Sequence, residues 1–369
     1  MNIGPEQVLQ QGRCAAELAD NQGMHDTPHF ETPSATHPYA HLTPDVVLDA
    51  LAAVGLYGDG RLTALSSYEN RVYQVHLDDA YQGHAAVVVK FYRPERWSLA
   101  QIQEEHDFAE ELVAGEVPVV APLRLNGQTL HQAAGFAFSV SPRRGGRAPE
   151  LDDMDVLEWI GRFLARIHTV GAARPFAVRP TLDVANFAQE PRDWLQQNRM
   201  IPLAVEREWF DTLDQALALI QTHPVLTQAE ASGRIRLHGD CHPGNILWTP
   251  ADLPGAGPHF VDLDDARMGP AVQDLWMLLS GDHRQRSLQL SALLDGYEQV
   301  RDFDRRELAW IEPLRTLRLI HYSAWLARRW DDPIFPINFP WFGTPDYWRG
   351  QVLMLQEQIE QMQEAPLMV

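Results

Sequence analysis

A polar stretch, "HGDCHPGN", contains an aspartate and an asparagine separated by four residues, Asp240 and Asn245. This D-x-x-x-x-N spacing is typical of the catalytic loop of phosphoryl-transfer enzymes. In that chemistry a carboxylate accepts the proton of the attacking hydroxyl, and a neutral side-chain oxygen completes a Mg²⁺ shell. We therefore predict that Asp240 is a catalytic proton acceptor and that Asn245 is a metal ligand.

Two histidines flank that aspartate and allow a different interpretation. His238 and His242 have the i, i+4 spacing of zinc ligands on a helix, but the intervening glycine and the following Pro-Gly pair disfavour a helix. We interpret His238 as a residue that packs and hydrogen-bonds the loop. His242 more readily shapes the turn that follows it.

A second acidic stretch, "HFVDLDD", follows the catalytic loop. Asp262 ends a short apolar run, so a strand would project its carboxylate at the strand end. Such a carboxylate is the hard oxygen ligand that Mg²⁺ prefers when it also bridges ATP phosphates. We predict a catalytic and metal-binding role for Asp262. Asp264 and Asp265 either assist it or are ordinary loop residues, and Asp274 is expected to brace the catalytic loop.

A lysine interrupts the apolar run "AAVVVKFYR". Burying the Lys90 ammonium is costly unless it is paired or bound to an anion. One interpretation is an edge strand whose lysine points to water. The other is a phosphate-binding lysine held by a carboxylate of the next predicted helix, which carries Glu104 and Glu105. Glu105 lies seven residues before Leu112 and therefore close to the same helix face.

The elements that would position these residues change in type along the chain. Residues 60–142 are predicted to be strands, including 117–125 and 135–142, with one helix at about 99–113. An earlier helix should begin after Thr43, a good N-cap, with Pro44 at its first position. The later pattern is mostly helical. We expect an α+β protein with a flexible extension (1–40), a sheet-rich lobe (41–142) and a helical lobe (143–369), and ligands favour the cleft between such lobes.

Composition excludes several classes of function. The 369 residues are 45% hydrophobic, and 50 acidic residues against 30 basic ones give a net charge of −20. That charge disfavours binding to nucleic acid or to an anionic membrane. Two cysteines exclude a disulfide framework, and no apolar run approaches the roughly 20 residues that span a bilayer. The N-terminus has no signal-peptide pattern, so we expect a cytoplasmic protein, and a monomer by default.

Several motifs taken together resemble one enzyme superfamily. The motifs are "SYENRVYQV", "VVVKFYRPERW", "EEHDFAEEL", "HGDCHPGNILW" and "FVDLDDARMGPAVQDLWMLL". They are similar to the aminoglycoside phosphotransferase/choline kinase superfamily and, within it, to the bacterial stress response kinase A group, from about residue 43 to 350. This resemblance implies a protein-kinase-like two-lobe fold with a small antiparallel-sheet N-lobe and a larger helical C-lobe. It also implies an ATP- and Mg²⁺-dependent serine/threonine protein kinase linked to stress survival.

The resemblance also implies roles for individual residues. Lys90 would steady the α- and β-phosphates of ATP, Glu105 would pair with Lys90, and Ser67 would lie in the loop over the nucleotide. Asp240, Asn245 and Asp262 keep the roles that their spacing indicates. The loop "LSSYENRVY" departs from the family pattern because it lacks the glycines of G-x-G-x-x-G, so Ser66, Ser67 or Asn70 would substitute. Asp262 and Asp274 are only twelve residues apart, which leaves no room for a long activation segment.

Two other functions remain open from the residues alone. The catalytic loop does not distinguish a protein acceptor, including the kinase itself, from a small molecule such as an aminoglycoside, choline or a sugar. A nucleotide-binding pseudokinase that serves as a scaffold is disfavoured because all the catalytic residue types are present. The tryptophan-rich segment near the C-terminus either walls the acceptor cleft or packs within the helical lobe. Its tryptophans are Trp325, Trp330, Trp341 and Trp348.

Overall fold

The computed structural model describes residues 37–222 and 233–369. These residues form two compact units, one of residues 37–181 and 234–303 and the other of residues 182–222, 233 and 304–369. The predicted extension (1–40) lies outside the described residues except for its last four. Within the described ranges, no helix combines the length and the apolar character needed to cross a bilayer.

The first unit begins with the helix that the sequence predicts. Helix α1 (Pro44–Ala53) starts after Thr43, whose Oγ1 accepts a hydrogen bond from the backbone N–H of Val46 at 3.3 Å. Just before it, the Tyr39 hydroxyl donates to the backbone carbonyls of Glu69 and Phe91. The chain is therefore attached to the sheet before α1 begins.

A five-stranded antiparallel sheet follows, with the strand order β1-β2-β3-β5-β4. Its strands are β1 (Gly58–Ala64), β2 (Arg71–Tyr81), β3 (His84–Phe91), β4 (His131–Ala133) and β5 (Phe136–Pro142). Strand β3 is central, and Lys90 pairs with Val72 on one side and Ser139 on the other. The edge-strand interpretation of Lys90 is therefore wrong. Val87 and Val89 are buried on the opposite face of β3.

Helix α2 (Leu99–Ala114) follows β3 and confirms the predicted helix. Ser98 caps it with a capping box, because its side chain accepts from the N–H of Gln101 while the Gln101 side chain accepts from the Ser98 N–H. The strand predicted for residues 117–125 is wrong: only isolated bridges form there. Pro118 and Pro122 remove two of the backbone donors that a strand would need.

The remainder of the first unit carries short strands between two long helices. Its elements are α3 (Met154–Ala172), β6 (Ile235–Leu237), β7 (Ile246–Thr249), β8 (Gly257–Phe260), β9 (Arg267–Gly269) and, after those strands, two further helices. Strand β6 pairs with β9, and β7 pairs with β8. Helix α3 packs closely on the second of those helices, since a Cβ at Gly161 would collide with the Leu293 carbonyl oxygen.

The second unit is helical. Its helices are α4 (Glu190–Gln197), α5 (Leu203–Thr222), α8 (Ile311–Arg328), α9 (Ile334–Asn338) and α10 (Pro345–Gln361). Helices α6 (Gln273–Trp276) and α7 (His283–Tyr297) are the two helices that end the first unit. Trp348 on α10 is fully buried, with its ring centroid 5.5 Å from that of Trp209 on α5. Trp325 lies against Phe335 at 5.1 Å. Packing within this unit therefore accounts for Trp348, while the role of the half-buried tryptophans in acceptor binding stays a prediction.

Candidate active site

The catalytic loop connects β6 to β7. After Asp240 the chain makes a 3₁₀ turn (Pro243–Asn245), and the Asn245 amide nitrogen donates to the Asp240 carbonyl oxygen at 2.9 Å. The Asn245 carbonyl oxygen accepts from the N–H of Val261 at 3.0 Å. Asp262, the next residue, therefore lies beside the loop. The structure thus brings the predicted proton acceptor and both predicted metal ligands into one place.

The two histidines of the loop have the supporting roles that the sequence predicts. The buried His238 ring donates from Nε2 to the Val261 carbonyl at 2.9 Å, while its Nδ1 accepts from the Asp240 N–H at 3.4 Å. His242 Nδ1 accepts from the Gly244 N–H at 3.0 Å and so caps the 3₁₀ turn. Hydrogen bonds to the protein therefore engage both ring nitrogens of His238 and Nδ1 of His242. In the described ranges no group of three or more His, Cys, Asp or Glu residues could hold a metal ion.

Asp274 braces the catalytic loop, as predicted. Its carboxylate accepts from the backbone N–H groups of His238 and Gly239, each at 2.8 Å, and from His168 Nε2 at 3.0 Å. Gly239 adopts φ +85°, and an added Cβ there would collide with the Asp265 carbonyl oxygen. Only glycine fits this position between His238 and Asp240. Sequence reasoning missed His168, because a histidine near a helix end carries no distinctive signal.

Lys90 is surrounded by three carboxylates. Its Nζ lies 2.9 Å from Asp262 Oδ1, 3.2 Å from Asp264 Oδ1 and 3.7 Å from Glu105 Oε1. We call these four residues the lysine cluster. Burial opposes the charge on Lys90, but the carboxylates of Asp262, Asp264 and Glu105 outweigh it and raise the lysine pKa well above its usual value. The predicted contact between Lys90 and Glu105 is confirmed.

Two adjacent glutamates of α2 make different contacts. The Glu104 carboxylate accepts from the backbone N–H groups of Ala177, Val178 and Arg179 at 2.5, 3.0 and 2.9 Å. Glu105 instead faces Lys90, and burial, partly offset by Lys90, raises its pKa to about 7. Glu104 therefore fixes a loop of the fold, and Glu105 belongs to the lysine cluster.

Asp264 is one of two aspartates, with Asp265, whose role sequence reasoning left undecided. It is only 2% exposed, its Oδ2 accepts from Asn70 Nδ2 at 3.2 Å, and the Arg96 guanidinium contacts the same oxygen. Burial raises the pKa of this carboxyl, but Arg96 and Lys90 outweigh burial and lower it below the usual range. In the sequence, only the position of Asp264 two residues after Asp262 pointed to the site. Nothing in the sequence indicated that Asn70 and Arg96 are its partners.

The loop between β1 and β2 contains Ser67, which is half-buried. Asn70 at the end of this loop bonds Asp264, and its Oδ1 accepts from the Arg93 N–H at 3.0 Å. The side chain of Asn70 therefore has protein partners, and Ser66 and Ser67 are the remaining candidates to replace the missing glycines. The part of Ser67 in nucleotide binding stays a prediction.

The oxygen atoms at the site fit a divalent cation that also binds phosphate. Asn245 uses its amide nitrogen within the loop, so its side-chain oxygen is the atom that would bind a cation. The Asp262 side chain is 49% exposed beside it. Mg²⁺ is commonly held by one or two such oxygen ligands, with substrate phosphates and water completing its shell. Asp262 adopts a left-handed conformation (φ 61°), which is uncommon for a residue with a side chain and is often found at functional sites.

Known proteins with similar sequences are kinases. Residues 61–311 match the model of the "Phosphotransferase enzyme family". The chain is 48% identical over 326 residues to "Serine/threonine protein kinase RdoA" of Salmonella typhimurium, which covers 88% of this chain and 95% of the relative. It is also 48% identical, with the same coverage, to "Stress response kinase A" of Escherichia coli. The resemblance stated from the motifs is thereby confirmed.

A solved structure with a similar fold is that of amicoumacin kinase hAmiN, described in complex with AMP-PNP, Ca²⁺ and Ami. It superposes with a TM-score of 0.63 at 18% identity and covers 88% of this chain and 94% of its own. At this identity the match shows the fold alone. The predicted α+β, protein-kinase-like fold is confirmed, with the small antiparallel sheet and the many helices that it implies.

Proposed function

Because the chain belongs to the phosphotransferase enzyme family and is a kinase, we propose that it transfers the γ-phosphoryl group of ATP to a serine or threonine hydroxyl of a protein. One observation carries the proposal. Lys90 Nζ lies 2.9 Å from Asp262, which adjoins Asn245 and the loop of Asp240. The residues to which we assign phosphate binding, cation binding and proton acceptance therefore lie close together.

Each residue then has one chemical task. Asp240 accepts the proton of the acceptor hydroxyl, and such general-base assistance typically contributes about 10²- to 10⁴-fold. Lys90 binds the α- and β-phosphates while Glu105 holds its ammonium, and the loop of Ser67 covers the nucleotide. Asn245 and Asp262 would hold Mg²⁺, which when bound neutralises charge on the phosphates.

The names of the relatives support the protein acceptor and the physiological setting. Two of them are named serine/threonine protein kinase RdoA and stress response kinase A. We infer the same acceptor class for this chain, including its own serine and threonine residues, and a role in a bacterial stress response. A cytoplasmic location and a monomeric state remain predictions from composition.

A small-molecule acceptor is the second candidate. The amicoumacin kinase shares the fold, and the catalytic loop serves any hydroxyl acceptor. An acidic protein of net charge −20 would attract a cationic antibiotic as well as a basic peptide. The same experiment distinguishes the two acceptors.

The test offers radiolabelled ATP and Mg²⁺ to the wild-type protein and to Asp240→Asn, beside a protein mixture and a panel containing aminoglycosides, choline and sugars. We expect label on protein serine or threonine with wild type and its loss with the variant, whose melting temperature checks the fold. Label confined to a small molecule would contradict the protein acceptor and support the small-molecule acceptor instead. No label on any acceptor would contradict phosphoryl transfer itself.

A further inference from the structure

Asp264 connects three segments on the sheet side of the site. Its buried carboxylate contacts Asn70 from the β1–β2 loop, Lys90 from β3 and Arg96 from the segment between β3 and α2. A buried carboxylate without partners would be costly, so three donors from three segments fix its position firmly. The 3₁₀ turn Leu263–Asp265 that carries Asp264 directly follows Asp262.

The distances around Lys90 show what Asp264 adds. The shortest contact of the Lys90 ammonium is to Asp262 at 2.9 Å, and Asp262 is also the residue that would bind the cation. A carboxylate oxygen that pairs with an ammonium is a poorer metal ligand, because both cations compete for it. If Lys90 bound phosphate and Asp262 held the cation, Asp264 at 3.2 Å and Glu105 at 3.7 Å would be the carboxylates left to hold the lysine.

We propose that Asp264 is a positioning residue for ATP binding: it holds Lys90 and the nucleotide loop through Asn70, so that Asp262 becomes available to the cation. This inference rests on the proposed function. It assigns to Asp264 a role distinct from metal coordination, because its two carboxylate oxygens already face Lys90, Asn70 and Arg96.

Asp264→Asn tests the proposal, and Asp265→Asn is the matched control. Asp265 is the next residue in the same turn, and its carboxylate contacts Arg96 at 2.9 Å and Arg267 at 2.5 Å. In Asp264→Asn the lysine keeps Asp262 as its principal partner. We therefore expect the affinity of the Asp264→Asn variant for ATP with Mg²⁺ to fall about 10- to 100-fold, the usual effect of losing a residue that orients a ligand.

The measurement is calorimetric titration of each folded variant with ATP, once with MgCl₂ and once with EDTA. In wild type and Asp265→Asn, Mg²⁺ should strengthen ATP binding. In Asp264→Asn this gain should shrink, an effect that a merely structural role would not produce. An equal loss in Asp265→Asn, or an unchanged gain from Mg²⁺ in Asp264→Asn, would overturn the proposal.

A second variant keeps the test decisive if Asp264→Asn does not fold. Asn70→Ala removes one donor to Asp264 without changing a charge. We expect a smaller loss of ATP affinity, and unchanged affinity would overturn the proposal. If the wild-type protein bound no ATP, the proposed function would fail together with this inference. Wild-type binding with an unaffected Asp264→Asn variant would overturn this inference alone.

Discussion

The catalytic loop and the lysine cluster are constructed by different means. The loop residues His238, Asp240 and Asn245 are held mainly by hydrogen bonds to nearby backbone groups and by one buried carboxylate, Asp274. The lysine cluster instead joins charges that lie as much as 174 residues apart in the chain (Lys90 to Asp264). We therefore expect changes in the loop to affect the chemical step, and changes in the cluster to affect stability and ATP binding.

The largest loss of stability is expected from Lys90→Met. This change leaves the carboxylates of Asp262, Asp264 and Glu105 facing one another without the ammonium. Breaking a buried ion pair typically costs roughly 3–5 kcal/mol of the free energy of unfolding, and here protonation of Glu105 would relieve part of it. Urea denaturation measures the stability. Lys90→Arg, which keeps the charge, is the control and should lose less; a fully stable Lys90→Met would show that the cluster does not support the fold.

A somewhat smaller loss is expected from Asp274→Asn. The N–H groups of His238 and Gly239 donate to different oxygens of the Asp274 carboxylate. The substitution replaces one of these oxygens by an amide nitrogen, which accepts no hydrogen bond, so one N–H group loses its partner. Hydrogen bonds to charged groups contribute about 1.5–3 kcal/mol each, so we expect a loss of that order. Because the loop itself is disturbed, kcat should fall more than the affinity for ATP. A pure loss of ATP affinity with unchanged kcat would contradict the distinction between the two regions.

The smallest expected effect is that of Glu104→Gln, and it depends on pH. Burial raises the pKa of Glu104, but the backbone N–H groups of Ala177, Val178 and Arg179 outweigh it and lower that pKa below its usual value of 4.5. A lowered carboxyl pKa stabilises the fold above pH 4.5, and this contribution is lost as the pH falls through the folded-state value. The variant should lose about 1–2 kcal/mol at neutral pH and less near pH 3.

Thermal denaturation at both pH values checks this expectation, with Glu110→Gln as the control on the same helix. Glu110 pairs with Arg124 at the surface, and such pairs contribute at most about 1 kcal/mol. If the two variants had the same stability at every pH, the bonds from residues 177–179 to Glu104 would not stabilise this loop.

The sequence indicated the catalytic loop better than the lysine cluster for a physical reason. Asp240, Asn245 and the two histidines lie within eight residues, so their spacing reports their geometry directly. Asp274, twelve residues after Asp262, was also assigned correctly to the loop. In contrast, the pairing of Asp264 with Arg96 and Asn70 depends on how distant segments meet, and no local pattern records it.

The fold shows the same limit. Helix α1, helix α2 and strand β5 were predicted from local sequence patterns, with Thr43 as the N-cap of α1. Residues 117–125 were wrongly predicted as a strand because apolar residues outweighed two prolines. The assignment of Glu105 rather than Glu104 to Lys90 was correct, yet only the tertiary structure shows that Glu104 binds the loop at residues 177–179.

The most direct test of the whole account measures ATP binding and turnover on one preparation of Asp240→Asn. Since Asp240 belongs to the catalytic loop and not to the lysine cluster, we expect turnover to fall about 10²- to 10⁴-fold. The dissociation constant of ATP with Mg²⁺ should stay within about threefold of wild type, a change below 1 kcal/mol. A folded variant that kept wild-type turnover, or that lost ATP binding together with turnover, would contradict the separate tasks of the two regions.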